Sequence, residues 1–202
     1  MRVTRSIGQA FAAALCALVA FTAAPAATAA DEALAAYERE DYAAALRLYQ
    51  PRAAVGDAEA NYRIGLMHRF GWGVDKDIDA AVKYLRAAAD AKHAGALAEL
   101  GTMYRLGRGV PEDPKLALQL LTGAAERGHG IAQLAIGRMH RDGTGTPVDL
   151  VRAWAWLSLA GESQVMDGFA IRGEIQPDMS EAQISQAKKL AADMRQKIKE
   201  TR

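Results

Sequence analysis

The sequence predicts an all-α solenoid of stacked helix-turn-helix repeats with a C-terminal capping helix. Three observations lead to this fold class. A set of positions recurs in three ungapped copies at a spacing of 36 residues, each copy contains two runs with helical apolar periodicity, and a Gly-x-Gly loop joins the two runs. A period of about 20 to 50 residues is typical of arrays whose units cannot bury their apolar faces alone and therefore stack on their neighbours.

The recurrence is carried by seven positions that hold one residue type in every copy, beside three alanine positions that are less informative in an alanine-rich chain. The seven sets are Gly65, Gly101 and Gly137; Met67, Met103 and Met139; Arg69, Arg105 and Arg141; Gly71, Gly107 and Gly143; Gly73, Gly109 and Gly145; Asp77, Asp113 and Asp149; and Leu85, Leu121 and Leu157. They place three 36-residue repeats over residues 57–164. Arrays of this kind mainly present extended binding surfaces.

Residues 1–30 carry the features of a secretory signal peptide. Two arginines precede an apolar run over residues 11–21, and an A-x-A cleavage motif follows at residues 27–29. The run is too short to cross a bilayer, which needs about 20 residues. We therefore expect cleavage near Ala29 or Ala30, a periplasmic or secreted mature protein, and no membrane span after cleavage.

Removal of this segment changes what chemistry the chain can carry. It takes away the only cysteine, Cys16, and lowers the net charge from +1 to about −1. Without cysteine, neither disulfides nor thiol chemistry can operate in the mature chain. Because non-specific nucleic-acid binding requires a concentrated positive field, the near-neutral charge argues against a nucleic-acid partner.

Residues 31–56 precede the first full repeat and follow part of its pattern. Ala45 and Tyr49 stand 36 residues before the matching apolar positions of the next second helix. This predicts an N-terminal capping hairpin. Pro51 removes a backbone donor and is expected to bend or end the second helix of that hairpin.

The first helix of each repeat is predicted from apolar residues at spacings of three and four, as at Ala60, Ile64 and Met67. Inside this helix stands a glycine, which costs about 1 kcal/mol relative to alanine. Its recurrence predicts close backbone approach by the partner helix. The Gly-x-Gly loop then ends the helix, because glycine readily adopts the left-handed conformation of helix stops.

The second helix of each repeat is predicted to begin after the recurring aspartate, whose carboxylate accepts free amide hydrogens of the first turn. Pro114 directly follows Asp113, at a position where a missing donor costs nothing. The recurring leucine and its flanking alanines, as at Ala81, Leu85 and Ala88, supply one apolar face.

Residues 165–202 are predicted to hold a partial repeat and the C-terminal capping helix. Gly173 falls 36 residues after Gly137. Ser180 and Gln183 have the spacing of a capping box, which places a final helix from Glu181 to about Lys199. Its inward positions are Ile184, Ala187, Ala191, Met194 and Ile198.

The pattern Ala-x-x-x-x-Gly-x-Met-[His/Tyr]-x-x-Gly-x-Gly, followed by Asp and then Ala-x-x-x-Leu-x-x-Ala, resembles the Sel-one-like repeat (SLR) family, a longer-looped relative of the tetratricopeptide repeat. The segment from Met179 to Ala187 also resembles a capping segment of exported bacterial members. The resemblance implies a right-handed superhelical α/α solenoid and a scaffold or adaptor that binds another protein. It also implies possible roles seen in secreted members, such as regulation of sensor kinases or polysaccharide export.

Six residues are candidate contacts with a partner protein on the concave face formed by the first helices: Tyr62, Arg69, Trp72, Tyr104, Arg105 and Arg141. Trp72 lies in a loop position held by Arg108 and Thr144 in the other repeats, so we expect it to be exposed and to anchor a partner. The alternative is that Trp72 folds onto Phe70 or the preceding hairpin. The three recurring arginines could form a ladder, although a structural role at the helix C-termini is favoured.

The other two tryptophans and the four histidines are predicted to have structural roles. Trp154 and Trp156 align with apolar positions and are expected in the core. His68 and His140 are two repeats apart, too far to share a metal ion, and His93 and His129 are expected to be solvent-facing turn residues. No metal site and no cofactor are predicted.

Catalytic motifs are sparse. Ser185 and Lys188 have the Ser-x-x-Lys spacing of penicillin-recognising enzymes, but the accompanying motifs are absent from the sequence. A non-catalytic scaffold is therefore predicted. Two alternatives stay open: a β-lactam hydrolase, described for cysteine-rich relatives although this mature chain lacks cysteine, and a cell-wall or polysaccharide binder that stacks sugars on exposed aromatic rings.

Overall fold

The computed structural model describes residues 28–201. Within this range the chain forms ten α-helices and a 3₁₀ turn, and it contains no strand: α1 (Ala29–Glu38), α2 (Tyr42–Ala54), α3 (Ala58–Phe70), α4 (Ile78–Asp90), α5 (Ala94–Leu106), α6 (Pro114–Ala125), α7 (Gly130–Asp142), α8 (Leu150–Glu162), α9 (Asp167–Ile175), the turn Gln176–Asp178, and α10 (Glu181–Glu200). Most of the predicted signal peptide, including Cys16, lies outside the described residues. Residues 28–30 of that segment are described. No described helix is long and apolar enough to cross a bilayer.

The helices build the predicted right-handed α/α solenoid. From α1 to α9 each helix packs against its neighbours in sequence, whereas α10 packs against α8; the tightest pairs are α3 with α4, α5 with α6, and α7 with α8. The interior continues from one hairpin to the next, and the recurring Leu85, Leu121 and Leu157 are at most 1% exposed. Trp154 and Trp156 are also buried, which confirms their predicted core role. The sequence prediction of the fold class is therefore confirmed.

The recurring glycine of the first helix contacts the recurring leucine of the second. A Cβ atom built on Gly65, Gly101 or Gly137 would lie 2.8, 2.7 or 2.6 Å from the leucine Cγ of the same repeat. Real Cβ contacts of this length essentially do not occur, so any larger residue forces the leucine side chain or the second helix to shift. The predicted close approach is confirmed.

The two glycines of each loop have different roles. The first, as at Gly71, ends the first helix in the left-handed conformation with φ of +75°, as predicted. The second packs against the preceding repeat: a Cβ on Gly145 would lie 2.4 Å from the carbonyl oxygen of Pro114, which is the first residue of α6. Gly73 and Gly109 meet Tyr42 and Ile78, the first residues of α2 and α4, in the same way. The second glycine of each loop therefore packs its repeat against the preceding unit.

A side chain caps the N-terminus of every helix from α2 to α8. The second helices are capped by aspartates, which confirms the prediction for Asp77, Asp113 and Asp149 and adds Asp41. The first helices are capped at a second 36-residue series: Asp57, His93 and His129. The expectation that His93 and His129 face solvent is wrong, because each half-buried imidazole accepts a backbone N–H through Nδ1.

Two features at the ends of the array differ from a simple continuation of the repeat. Helix α2 continues through Pro51 to Ala54, so of the two effects expected of the proline, a bend or an end of the helix, the second does not occur. Gly173 is exposed and a Cβ there would meet nothing within 4 Å. The close contact is made instead by Gly168, whose added Cβ would lie 2.6 Å from the backbone of Gly161 in α8. Helix α9 therefore packs on α8 in a register that the repeat does not predict.

The capping helix α10 begins with the predicted capping box of Ser180 and Gln183. It packs along α8 and buries Ala187, Ala191 and Ile198. Lys197 reaches back to Glu126 at the end of α6, with 2.9 Å between Nζ and the carboxylate. Helix α10 therefore covers the second helices of two repeats, as predicted for a cap.

Candidate functional site

The six candidate contact residues lie on the first helices of the repeats or on the loop that follows α3. Tyr62 and Arg69 belong to α3, Trp72 to the loop after it, Tyr104 and Arg105 to α5, and Arg141 to α7. All six side chains are half-buried. Their neighbours decide which of them are available to a ligand.

Trp72 is the centre of an aromatic cluster rather than an exposed anchor. Its ring stacks on Tyr42 with centroids 5.3 Å apart and on Phe70 at 4.7 Å, and it meets Tyr37 edge-on at 6.1 Å. Tyr37 and Tyr42 belong to the first hairpin. The alternative, that Trp72 folds onto Phe70 and the preceding hairpin, is confirmed, and the expectation of an exposed tryptophan is wrong, because these residues supply the aromatic rings that cover it.

The two tyrosines are also engaged within the chain. The ring of Tyr62 lies 4.4 Å from that of His93, tilted by 31°, and covers Gly95, and burial raises the pKa of its phenol. The Tyr104 hydroxyl accepts a hydrogen bond of 2.6 Å from Arg86. Both residues bridge neighbouring helices, so their contacts are structural ones in the free protein.

Two of the three recurring arginines have acidic partners. Arg69 forms an ion pair with Glu99 of α5 and lies over the ring of Phe70. Arg141 binds Asp142 at 2.6 Å and lies 3.9 Å from Glu174. The predicted ladder therefore consists largely of arginines that are already neutralised.

Arg105 differs from the other two. Within residues 28–201, no carboxylate lies within 4.0 Å of its guanidinium, and its buried Nε has no hydrogen-bond partner. The cause is one position in the next repeat: the residue 36 positions after Glu99 is Ala135. Helix α5 supplies a counter-ion to Arg69 of α3 through Glu99, but helix α7 supplies none to Arg105 of α5 from the equivalent position.

A groove opens beside Arg105 between the first helices of the second and third repeats. It has a volume of about 200 Å³. Arg105 of α5 and Ile131, Leu134, Ala135, Arg138 and Met139 of α7 line it. Ile131 is 64% exposed, whereas the equivalent residue of the preceding repeat is Gly95. This α5–α7 groove combines an unpaired cation with an uncovered apolar side chain.

The histidines are used for structure rather than assembled into a site. His93 accepts the Ala96 N–H through Nδ1, so its proton lies on Nε2, which donates to Glu59 at 2.9 Å. This hydrogen bond, together with Arg63, lowers the pKa of Glu59 to about 2. Among residues 28–201, no group of three His, Cys, Asp or Glu side chains is placed to hold a metal ion.

The Ser-x-x-Lys pair does not form a pocket. Ser185 and Lys188 are both exposed on α10. An efficient nucleophile requires a base and an oxyanion-binding group in a site that excludes water, and an exposed helix face supplies none of that enclosure.

Comparison with known proteins decides the family. The Sel1 repeat model matches residues 58–93, 94–129 and 130–164, which together make up more than half of the chain. The chain belongs to the Sel1 repeat family. The three matched units coincide with the helix pairs α3–α4, α5–α6 and α7–α8, so the resemblance noted in the sequence is confirmed.

Solved Sel1 repeat structures share the fold. A Sel1 repeat protein from Oxalobacter formigenes superposes with a TM-score of 0.67 at 26% identity, over 71% of this chain and 59% of that one. A protective antigen of uropathogenic Escherichia coli strains with an SLR fold has a TM-score of 0.60 at 22% identity, over 85% of this chain and 46% of that one. The chain thus spans about half the length of these solved relatives.

A local sequence match points to a protein of Neisseria meningitidis serogroup B, NMB1327. It is 47% identical over 49 residues, which make up 24% of this chain and 10% of the Neisseria protein. Sel1 repeats typically serve as protein-interaction modules, and that coarse role is the one that family membership supports.

The sequence did not predict the groove, although it contained a signal for it. Arg105 was identified as one of three equivalent arginines, and the difference lies in the residue it faces. Comparing position 99 with position 135 would have revealed the missing glutamate, provided that the facing positions were known.

Proposed function

We propose that the protein is a non-catalytic scaffold that binds another protein in the bacterial envelope, through the concave face formed by α3, α5 and α7. The observation that carries this proposal is the α5–α7 groove, where Arg105 lacks a counter-ion and Ile131 is uncovered. Interface hot spots combine such apolar anchors with arginine. Arg105, rather than Trp72, is therefore the central candidate contact.

The packing around the groove supports binding without rearrangement. Both walls are helices held to their second helices by the Gly101–Leu121 and Gly137–Leu157 contacts. A site on helices fixed in this way loses little conformational entropy on association. Its surface is also open at one side, as an extended segment of another protein requires.

Export to the periplasm or the cell exterior is part of the proposal and rests on the sequence of residues 1–30. Cleavage near Ala29 or Ala30 would remove Thr28, whose side chain caps α1 together with Asp31. The groove lies three helices away from this end, so its walls do not depend on that cap.

A site-specific crosslinking experiment tests the binding role. A photoreactive amino acid is placed at position 131 of the exported protein in the producing bacterium, and at position 55 as the control. Val55 is the matched control because it is 84% exposed, apolar, and located at the end of α2. We expect one discrete protein adduct from position 131 that is missing from position 55.

Three further results bear on the alternatives. No adduct from position 131, or the same adducts from both positions, contradicts binding at the groove. Turnover of a chromogenic β-lactam by the purified protein, lost on Ser185→Ala, would establish the enzymatic alternative. Sedimentation with purified cell-wall material, lost on Phe70→Ala, would establish the polysaccharide alternative, since Phe70 is the exposed member of the Trp72 cluster.

A further inference from the structure

We propose that the α5–α7 groove recognises an acidic side chain of an extended peptide segment, with the carboxylate on Arg105 and a neighbouring apolar residue of the peptide on Ile131. This inference rests on the proposed binding function and adds the chemistry of the partner. The chain itself provides the template for the contact, because Glu99 fills the equivalent place beside Arg69.

The α3–α5 and α5–α7 boundaries differ in one ion pair. Between α3 and α5, Arg69 is held by Glu99. Between α5 and α7, Arg105 faces Ala135, which has no polar side-chain atom. The fold therefore repeats the cation but omits the carboxylate, at a point where the surface is open.

The absence of a partner for Arg105 has a cost in free energy. The Arg105 side chain is half-buried, and its Nε–H is shielded from solvent without an acceptor. A buried donor without a partner destabilises the free protein, whereas a carboxylate offers two acceptor oxygens and strong charge-assisted hydrogen bonds. A carboxylate is thus the complementary ligand for this position.

The charged residues around Arg105 also favour an anionic ligand. Arg138 adds a second cation to the groove; its contact with Asp167 is long, at 3.2 Å, and exposed to solvent, so water screens it. Asp142 is the acidic residue of the groove lining and is held by Arg141. The groove therefore favours a negative ligand on electrostatic grounds.

The α5–α7 groove is small. A volume of about 200 Å³ is below the roughly 300–1,000 Å³ of sites that enclose drug-sized ligands. It suits one side chain of a polypeptide whose backbone stays outside. Ile131, Leu134 and Met139 then provide apolar contact for the residues beside the acidic one.

The test uses a capped peptide, acetyl-Ala-Leu-Glu-Leu-Ala-amide, and its Gln counterpart, titrated into the full mature protein. Binding is followed by NMR at the Nε–H signal of Arg105, assigned with the variant Arg105→Lys. We expect a saturable shift with the Glu peptide and about tenfold or more weaker binding of the Gln peptide. Equal binding of both peptides overturns the inference.

A second variant tests the same contact from inside the chain. Ala135→Glu restores the residue found at position 99 and should pair with Arg105, raise the melting temperature and block the Glu peptide. Ala135→Gln is the control of matched side-chain volume and should not raise the melting temperature. A melting temperature that is equal in the two variants overturns the assignment of Arg105 as the carboxylate site.

The two proposals fail in distinguishable ways. If the crosslinked partner from position 131 also binds Ala135→Glu with unchanged affinity, acidic recognition is wrong while the scaffold function stands. If the Glu peptide binds but no protein crosslinks at position 131, the groove chemistry stands and the scaffold function is wrong. If an acetylated peptide binds only when its C-terminus is a free carboxylate instead of an amide, the chain terminus and not a side chain is the ligand, which overturns the inference.

Discussion

The backbone of Gly101 lies against the side chain of Leu121, with 2.7 Å between the position of an added Cβ and the leucine Cγ. The carbonyl oxygen of Ala117 lies 3.2 Å from the same position. This contact fixes the spacing of α5 and α6, and through α5 it fixes one wall of the groove. It also makes a direct prediction about stability.

Gly101→Leu should lower the free energy of unfolding by about 1 to 3 kcal/mol or more, because the new side chain overpacks the interface between α5 and α6. Gly173→Ala is the control, since that glycine is helical and a Cβ there meets nothing within 4 Å. It should stabilise the fold by up to about 1 kcal/mol through helix propensity. Urea denaturation followed by circular dichroism measures both. An unchanged free energy of unfolding for Gly101→Leu would contradict the close contact.

Gly145→Ala should destabilise the protein more than Gly56→Ala. Both glycines have positive φ, +74° and +87°, so alanine is strained at each. Only at position 145 would the added Cβ also collide with backbone, 2.4 Å from the oxygen of Pro114. The difference between the two melting temperatures isolates the contact between repeats, and equal losses would exclude it.

Trp72→Ala should lower the free energy of unfolding by about 1 to 3 kcal/mol, because it removes the ring that joins α3 to the first hairpin. Val55→Ala, at an exposed site near the same hairpin, should change it by less than about 0.5 kcal/mol. Thermal unfolding of both variants checks this, and a Trp72→Ala protein as stable as the parent shows that the aromatic cluster does not hold the hairpin in place.

The stability of the fold should fall as the pH drops below neutral. Burial lowers the pKa of the His129 and His140 imidazoles from the ordinary value of 6.5. A lowered folded-state pKa means that the unfolded chain binds protons more readily, so the contribution to stability is complete above pH 6.5 and is lost as the pH falls toward the folded pKa. His129 would also lose its capping role, because a protonated Nδ1 cannot accept the Ala132 N–H.

The repeat itself supplies matched controls for this pH dependence. His129→Asp introduces the capping residue found at Asp57, and His140→Tyr introduces the residue found at Tyr104. The double variant should show a flatter melting temperature between pH 7 and pH 5 than the parent. An unchanged slope would mean that neither histidine is responsible for the loss.

The periodic part of the fold was predictable from sequence, and so was the capping helix α10 with its capping box at Ser180 and Gln183, whereas most contacts outside the period were not. Gly65, Leu85 and Asp77 recur because each repeat needs the same backbone approach and the same cap, so their roles follow from the period. The cover over Trp72 comes from Tyr37 and Tyr42, outside the three full repeats, and no spacing links these residues. The exposure of Trp72 therefore depends on tertiary contacts that the repeat pattern does not contain.

The candidate site shows the same division. The three arginines were found by their recurrence, but what distinguishes Arg105 is the alanine that faces it across a helix boundary. The capping histidines were missed because Asp57, His93 and His129 share a role and a spacing without sharing a residue type. A search for recurring chemistry, rather than recurring identity, would have found the caps.

The second loop glycine of each repeat rests on the opening residue of a helix in the unit before it. A unit that melts therefore uncovers the helix start of its predecessor and takes away a contact that this predecessor needs. Unfolding should consequently spread along the array as a single event rather than halt at a repeat boundary.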